Sequence, residues 1–228
     1  MDFLVFSFAA ALRLIGALSP DVVDAVRTSL SVAAGATVFA ALLGLPLGLL
    51  VGLSEFPLKR LVVTVLNTLM AVPTVVVGLL GYGFLSRQGP LGVLGLLFTP
   101  TAIVIGGTLL AAPIVANYAL ASVRGADPRI VPTALTLGAG RLRAVATLIG
   151  EIRFGILAAV IAGFGRVVSE VGVAMMLGGN IRGYTRTMTT AIALETSKGE
   201  FAFGMALGIV LMMVALIVNL FLNLLQQR

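Results

Sequence analysis

The sequence of 228 residues contains no cysteine, no histidine and no tryptophan, and only 11% of its residues are charged. The lack of cysteine excludes disulfide bonds, thiolate nucleophiles and cysteine-ligated metals. The lack of histidine removes the commonest general base near neutral pH and the commonest metal ligand. Soluble domains carry roughly 25% charged residues, so this chain has too few polar side chains to coat a surface that faces water.

Apolar residues are what the chain has in abundance. They make up 59% of the sequence, and the mean hydropathy is +1.14. These values predict an all-α integral membrane protein with one membrane domain, because no half of the chain is polar enough to fold separately in water. No GxxxxGK[ST] stretch is present to bind nucleotide phosphates. The excess of 15 Lys+Arg over 9 Asp+Glu favours an anionic partner or solute over nucleic acid.

Five apolar stretches are long enough to cross a bilayer, since a helix needs about 20 apolar residues to span its hydrocarbon core. The third stretch is interrupted by three prolines, so we interpret it as a surface piece followed by one span over Ala102–Ser122. An extra half-helix within it stays open as an alternative. The five stretches are Thr28–Ser54, Leu61–Ser86, Gln88–Val123, Phe154–Leu177 and Phe201–Gln227.

The loop charges predict the orientation. Lys59 and Arg60 lie between the first two spans, and a cluster of arginines lies between the third and fourth. Two crossings separate these loops, so they share one side, and the positive-inside rule makes that side cytoplasmic. We therefore expect the N-terminus outside and the C-terminus inside the cytoplasmic membrane. Residues 1–20, interrupted by Arg13, are predicted to form an interfacial amphipathic helix ahead of the membrane domain, residues 21–228.

Two patterns within the spans concern helix packing. Gly44, Gly48 and Gly52 place small residues on one face of the first span, which allows a close approach either within the chain or between subunits. Pro46 and Pro73 lie within spans and favour helices that line a cavity, where neighbouring polar groups or water satisfy the freed carbonyls.

The fourth stretch contains Arg166, Ser169 and Glu170 on one predicted helix face. A charge at mid-bilayer costs about 2.5–3.5 kcal/mol on insertion scales, so Arg166 and Glu170 should face protein or water rather than lipid. The two residues then form either a neutralising structural pair or part of a translocation path or gate. A proton relay is the weakest interpretation, because the spans offer no second carboxylate and no histidine.

The loop between the third and fourth spans, residues 124–153, is predicted to present an apolar surface to water. A short helix from about Pro132 to Leu137 ends at Gly138 and Gly140, and a second helix covers Arg141–Ile149. An apolar surface on a water-facing loop indicates docking onto a soluble partner, with re-entry at the membrane surface as the alternative. The predicted docking residues are Ile130, Val131, Pro132, Thr133, Ala134, Leu135, Gly138, Arg141 and Arg143.

This loop resembles the cytoplasmic signature of ABC-transporter permease subunits, E-A-A followed by three residues and Gly. The spacing from Ala134 to Gly138 matches, whereas Pro132 and Thr133 stand where the family usually has Glu and Ala, and the I-x-L-P ending has no clear match. The segment TLGAGRLRAV, residues 136–145, is similar to molybdate-type permeases. Residues 166–201 are similar to the permease subunit of tungstate ABC importers.

The resemblance implies a type I ABC importer permease with five transmembrane helices and no catalytic residue. Two copies of the chain would form the pore, and two separate ATP-binding cassette ATPase subunits would dock on the 124–153 loops. An extracytoplasmic protein that binds tungstate or molybdate would deliver the oxyanion. ATP and Mg²⁺ would be used by the ATPase, and this chain would bind no cofactor, metal or nucleic acid. Alternating access would move the oxyanion.

The loop after the fourth span is rich in hydrogen-bond donors. Arginine and hydroxyl groups recognise tetrahedral oxyanions well, so direct contact with the solute is one interpretation. The alternatives are an ordinary solvated loop and a docking surface for the binding protein. The candidate residues are Asn180, Arg182, Thr185, Arg186 and Thr187.

Two other classes of function compete with an importer subunit. An anion channel or secondary transporter that works without ATP would need a coupling-ion site, and Glu170 is the one carboxylate within a predicted span. A membrane enzyme is remote, because the chain lacks His, Cys and paired membrane carboxylates.

Overall fold

The computed structural model describes residues 2–226, and this part of the chain folds as eleven α-helices and one 3₁₀ turn, Gly92–Leu94. The predicted all-α fold is confirmed. The helices are α1 (Asp2–Gly16), α2 (Pro20–Leu53), α3 (Lys59–Met70), α4 (Thr74–Leu85), α5 (Pro100–Gly125), α6 (Ile130–Thr136), α7 (Arg141–Glu151), α8 (Arg153–Val168), α9 (Gly172–Gly178), α10 (Met188–Ser197) and α11 (Phe201–Gln226).

By length and composition, α2, α5 and α11 can each cross a membrane alone. Two bent pairs supply further crossings: α3 with α4, at an angle of 94°, and α7 with α8, at 66°. The described residues thus hold three to five crossings, against the five predicted. In the second pair, α8 lies in the predicted fourth span, whereas α7 lies in the predicted 124–153 loop. The predicted end of the fifth span at Gln227 lies outside the described residues.

The second span is two helices rather than the single helix predicted over Leu61–Ser86. Helix α3 ends at Met70, and α4 begins after Pro73, which has an extended backbone with φ −59° and ψ 130°. A proline lacks an N–H donor and excludes the residue before it from helical geometry, so the helix stops ahead of Pro73. Pro46, by contrast, lies inside the continuous helix α2.

The fourth span is also broken, so the prediction of one helix over Phe154–Leu177 is wrong. Helix α8 ends at Val168, and α9 starts at Gly172 after a three-residue break. The side chain of Glu170 accepts a hydrogen bond from the Val173 N–H in the first turn of α9. A side chain that satisfies a free N–H at a helix start stabilises a new helix there instead of a continuing one.

Helices α2 and α5 pack closely along the glycine face of α2. A Cβ atom built on Gly48 would lie 2.3 Å from the carbonyl oxygen of Ala116, and one on Gly44 would lie 2.6 Å from that of Ala112. Only glycine permits this approach of the two backbones. The glycine face is therefore occupied by α5 of the same chain, which confirms the intramolecular alternative over a subunit interface.

The core around this contact consists largely of small residues. Its fully buried members include Ala36, Ala40, Ala111 and Val115, contributed by α2 and α5. Helix α1 packs against α11 near the other end of the chain and buries Ser7 and Ala11. Its predicted place in the membrane interface stays a prediction. Between the second and third spans the described chain forms the 3₁₀ turn, and α5 then extends slightly beyond the predicted Ala102–Ser122.

Candidate coupling and translocation sites

A charged turn leads into the first helix of the 124–153 loop. The Arg129 N–H donates to Asp127 Oδ1 at 2.9 Å, and Arg129 Nη2 donates to Asp127 Oδ2 at 2.8 Å. The hydrogen bond from the Arg129 side chain lowers the pKa of the Asp127 carboxyl. The turn therefore keeps its charges paired and sets the position at which α6 begins.

Helix α6 begins at Ile130, two residues earlier than predicted, so Pro132 lies within its first turn. Gly138 follows with a φ of +87°, a left-handed conformation that favours glycine. Helix α7 then begins at Arg141, as predicted, and ends at Glu151. The loop is thus a helix–turn–helix unit with a glycine at the turn.

The helix–turn–helix unit exposes apolar side chains. None of the seven residues of α6, all of them described, is buried, and Leu135 is 42% exposed. Leu137 and Leu142 are 82% and 90% exposed, and the sequence analysis missed both. The sequence could have indicated that both leucines are exposed, because they flank the Gly138–Gly140 turn and Leu142 lies between two arginines. Of the predicted docking residues, Pro132, Thr133, Leu135, Gly138, Arg141 and Arg143 are exposed, and Ile130, Val131 and Ala134 are half-buried.

Arg166 and Glu170 form an ion pair at the break in the fourth span. Arg166 Nη1 donates to Glu170 Oε2 at 2.6 Å. The Glu170 side chain is 6% exposed and that of Arg166 is 31% exposed, so the carboxylate is buried and the guanidinium reaches the edge of the structure. Ser169 takes no part in the pair, since its hydroxyl donates to the Gly165 carbonyl at 2.8 Å.

Glu170 connects three elements. Its carboxylate pairs with Arg166 at the end of α8 and accepts from the Val173 N–H of α9 at 3.1 Å. Its backbone carbonyl accepts from the hydroxyl of Thr189 in α10 at 2.7 Å. The residue therefore holds the α8–α9 break in place.

The segment that follows, residues 170–190, is called the threonine cap here because four buried threonines hold it together. The Thr185 hydroxyl donates to the Gly178 carbonyl at 2.5 Å and accepts from the Ile181 N–H at 3.0 Å. Thr187 and Thr190 form a capping box at the start of α10. The Thr190 hydroxyl also donates to Asn180 Oδ1 at 2.9 Å. The exposed fraction is 0% for Thr185 and Thr190 and 6% for Thr187 and Thr189.

Both arginines of the threonine cap are paired with carboxylates. Arg182 forms a two-pronged ion pair with Asp21 at the start of α2, with Nε 2.7 Å from Oδ1, and this hydrogen bonding raises the pKa of Arg182. Arg186 Nη1 lies 3.4 Å from Glu195 Oε1 in α10. These predicted oxyanion-contact residues are held mostly by partners within the chain. The exception among the described residues is Arg186 Nε, which is buried without a hydrogen-bond partner. The proposed contact of these residues with solute or binding protein stays a prediction.

Comparison with known proteins identifies the family. The pattern of the family described as "Binding-protein-dependent transport system inner membrane component" matches residues 44–228. The chain belongs to this family. Membership makes the permease a multi-pass membrane protein and a transport component, one part of a system that also contains a binding protein and an ATPase.

Individual relatives cover nearly the whole permease. It is 42% identical over 212 residues to the tungstate uptake system permease protein TupB of Peptoclostridium acidaminophilum, covering 92% of both chains. The TupB protein of Campylobacter jejuni is 40% identical, over 92% of this chain and 88% of that relative. The molybdenum transport system permease protein ModB of Escherichia coli is 29% identical, over 78% and 82%.

A solved structure shares the fold of the permease. A chain in the crystal structure of a bacterial alginate ABC transporter, in complex with a periplasmic protein bound to an alginate pentasaccharide, superimposes with a TM-score of 0.72. The match covers 90% of this chain and 78% of that chain at 20% sequence identity. At this identity the likeness shows the fold alone.

Proposed function

We propose that the permease is the pore subunit of an ABC importer for tungstate, with molybdate as the next candidate. The observation that carries this proposal is the 42% identity to a tungstate uptake permease over 92% of both chains. The molybdenum permease of Escherichia coli shares only 29%. The solute is a tetrahedral dianion in either case, which agrees with the excess of basic over acidic residues.

In the proposed assembly two copies of the permease form the pore, and one ATPase docks on each 124–153 loop. The exposed Leu135, Leu137 and Leu142 support this role for the loop, since apolar side chains gain free energy when a partner covers them. An extracytoplasmic tungstate- or molybdate-binding protein delivers the oxyanion to the other face. The N-terminus then lies outside and the C-terminus inside the cytoplasmic membrane, as the loop charges favour.

Transport in this proposal follows alternating access. ATP binding closes the ATPase pair and moves the docked α6 helices together, and hydrolysis resets them. ATP and Mg²⁺ belong to the ATPase, and the permease binds no cofactor. The α8–α9 break, held by Glu170, lies beside the ion pair with Arg166, and we assign Arg166, Ser169 and Glu170 to the path or its gate. The bend between α3 and α4 is the other candidate for movement.

The test is uptake of radiolabelled tungstate into proteoliposomes that contain the permease with its ATPase and binding protein. We expect uptake that requires ATP and the binding protein, with co-purification of the ATPase in equal amount. The alternative is an anion channel or secondary transporter that works without ATP. Tungstate entry driven by the gradient alone, with no ATPase co-purifying, would support that alternative and contradict our proposal.

Thiol labelling tests the orientation. Because the sequence contains no cysteine, an introduced cysteine is the only thiol that can react. Single substitutions Ala139→Cys, in the 124–153 loop, and Tyr184→Cys, at a 50% exposed position of the threonine cap, each create one thiol on opposite predicted sides. A membrane-impermeant maleimide added to intact cells should label the second and not the first. The reverse pattern would overturn the proposed orientation.

A further inference from the structure

A cavity of about 910 Å³ opens where the end of α2 and the start of α3 face the end of α5. We call it the basic groove, because Lys59, Arg60 and Arg124 line it together with a single carboxylate, Glu55. Thr64 also lines it one turn further along α3, and its hydroxyl donates to the Arg60 carbonyl at 2.9 Å. The threonine cap and the exposed leucines of the 124–153 loop contribute no lining residue to it.

The carboxylate of the basic groove offsets only part of its positive charge. Lys59 Nζ lies 2.7 Å from Glu55 Oε1, with the Lys59 side chain 15% exposed and that of Glu55 88% exposed. The ammonium is thus held inside the groove while its partner stands in solvent, where water screens the pair. In the part of the chain that the structure describes, neither Arg60 nor Arg124 forms an ion pair.

A second cavity adjoins the basic groove. It has a volume of about 560 Å³, shares Val63 and Arg124 with the groove and runs between α3 and α5 past Asn67 and Asn117. Apolar residues also line it, and the Asn117 side chain donates to the Pro113 carbonyl at 3.1 Å. The groove is therefore continuous with a cleft along the first half of the second span.

We propose that the basic groove binds a tetrahedral oxyanion at the end of the pathway that opens to the cytoplasm. Three cationic side chains around one cavity match the several acceptor oxygens of such an ion. The same chemistry is shared by the imported solute and by the phosphate group of an anionic lipid, and the experiment separates the two. The inference rests on the proposed function for its side of the membrane, but its test measures binding without transport.

The first experiment measures tungstate binding to the purified permease alone by calorimetry, at low salt and in neutral detergent. Replacing Arg60→Gln together with Arg124→Gln should weaken binding by about tenfold or more, since each substitution removes a charged hydrogen-bond donor to the anion. Arg13→Gln together with Arg87→Gln removes the same charge outside the groove and should leave the affinity within about twofold. Thermal unfolding of each variant confirms that the protein stays folded.

A second variant, which removes a negative charge and should strengthen binding, tests the inference even if the arginine variant does not fold. Glu55→Gln removes the competing carboxylate from an 88% exposed position, where folding is not at risk. Tungstate binding should then tighten several-fold, because Lys59 is freed for the anion. Unchanged tungstate affinity in both Glu55→Gln and the arginine variant overturns the inference.

The same measurements in nanodiscs identify the source of the oxyanion. Discs of phosphatidylcholine alone should bind tungstate as the detergent sample does. If phosphatidylglycerol abolishes tungstate binding, and if native mass spectrometry shows this lipid retained through Arg60 and Arg124, the groove takes a lipid phosphate. If the arginine variant instead loses the ATPase while anion binding is unchanged, the groove is a protein contact and the inference is wrong.

Failure of this inference and failure of the proposed function give different results. ATP-driven tungstate uptake by a permease whose groove binds no oxyanion overturns the inference alone. Oxyanion binding in the groove without ATP-driven uptake overturns the proposed function and leaves the binding site standing.

Discussion

The threonine cap and the 124–153 loop differ in whether their side chains are buried with partners or exposed. In the cap, four buried hydroxyls find partners within the segment or its neighbours, and both arginines pair with carboxylates. In the loop, Leu137 and Leu142 are 82% and 90% exposed, and α6 buries none of its seven described residues. The buried hydroxyls of the cap are therefore satisfied within one chain, and in the described residues only Arg186 Nε of the cap is buried without a hydrogen-bond partner. The loop, by contrast, is shaped for something that covers it.

The two regions should therefore contribute to stability under different conditions. A buried hydroxyl that loses its partner costs free energy in the isolated chain, so the cap should respond to mutation in the permease alone. An exposed leucine contributes little until a partner covers it, so the loop should respond only in the assembled transporter. Mutations in the two regions should therefore separate the stability of the permease from its assembly.

Charges placed on the apolar surface of the loop should abolish transport. In Leu135→Asp with Leu142→Asp, docking of the ATPase would desolvate two unpaired carboxylates, which costs several kcal/mol. We expect the ATPase to be lost on purification, while the melting temperature of the permease alone is unchanged. The matched control is Val93→Asp with Leu94→Asp on the 3₁₀ turn, where the residues are 98% and 60% exposed. Retention of the ATPase by the loop variant would show that the loop is not the docking element.

Breaking the Arg166–Glu170 pair should destabilise the permease and impair oxyanion passage. Arg166→Met strands a buried carboxylate and should lower the free energy of unfolding by about 3–5 kcal/mol, more than Glu170→Gln, whose stranded guanidinium is partly exposed. The stranded negative charge should also repel a dianion. A double-mutant cycle on thermal stability in detergent, beside uptake in proteoliposomes, measures both effects. Strictly additive stability losses would mean that the two side chains are not coupled.

Removing one hydroxyl from the threonine cap should destabilise the permease whether or not partners are present. Thr185→Val leaves the Ile181 N–H without its acceptor and should cost about 1–3 kcal/mol of unfolding free energy. Thr136→Val is the control in α6, where the exposed hydroxyl only donates to the Thr133 carbonyl of its own helix. Denaturant unfolding in detergent compares the two. Equal losses would contradict the division between the regions.

Among the contacts of the threonine cap, the ion pair between Arg182 and Asp21 should contribute least to the unfolding free energy. Both side chains are well exposed, at 69% and 37%, so Asp21→Asn should lower the unfolding free energy by only about 0.2–1 kcal/mol. The loss should shrink as salt rises, since exposed pairs are screened. Denaturant unfolding of both proteins at about 50 and about 500 mM salt measures this loss. A loss that does not depend on salt would indicate that the pair is shielded from solvent.

The sequence alone predicted an all-α membrane fold, the exposed apolar loop and the ionic residues that pair. Hydropathy carries the membrane prediction, because roughly 20 apolar residues are needed for each crossing wherever it occurs. The spacing of four residues between Arg166 and Glu170 already allowed their pairing. The family resemblance came from short segments whose residue order is local, residues 136–145 and 166–201.

The breaks within the second and fourth spans were harder to predict. A proline in a membrane helix can bend it, as Pro46 shows by staying inside α2, or end it, as Pro73 does. The difference depends on which neighbours satisfy the freed backbone groups. At the second break the cause is also distant, since Glu170 is held by Thr189, which lies 19 residues further along the chain.

Sequence by itself thus determined that this protein is an all-α membrane permease with an apolar loop for a partner, because composition and local spacing are properties of the chain. Tertiary structure alone decided which polar residues remain free. Thr185 and Arg182 were candidates for an oxyanion until the fold gave them Gly178 and Asp21 as partners, the second 161 residues away. The same folding left Arg60 and Arg124 lining an open groove, and within residues 2–226 neither of them forms an ion pair. A side chain's availability depends on which distant groups packing brings to it, and no local pattern records that.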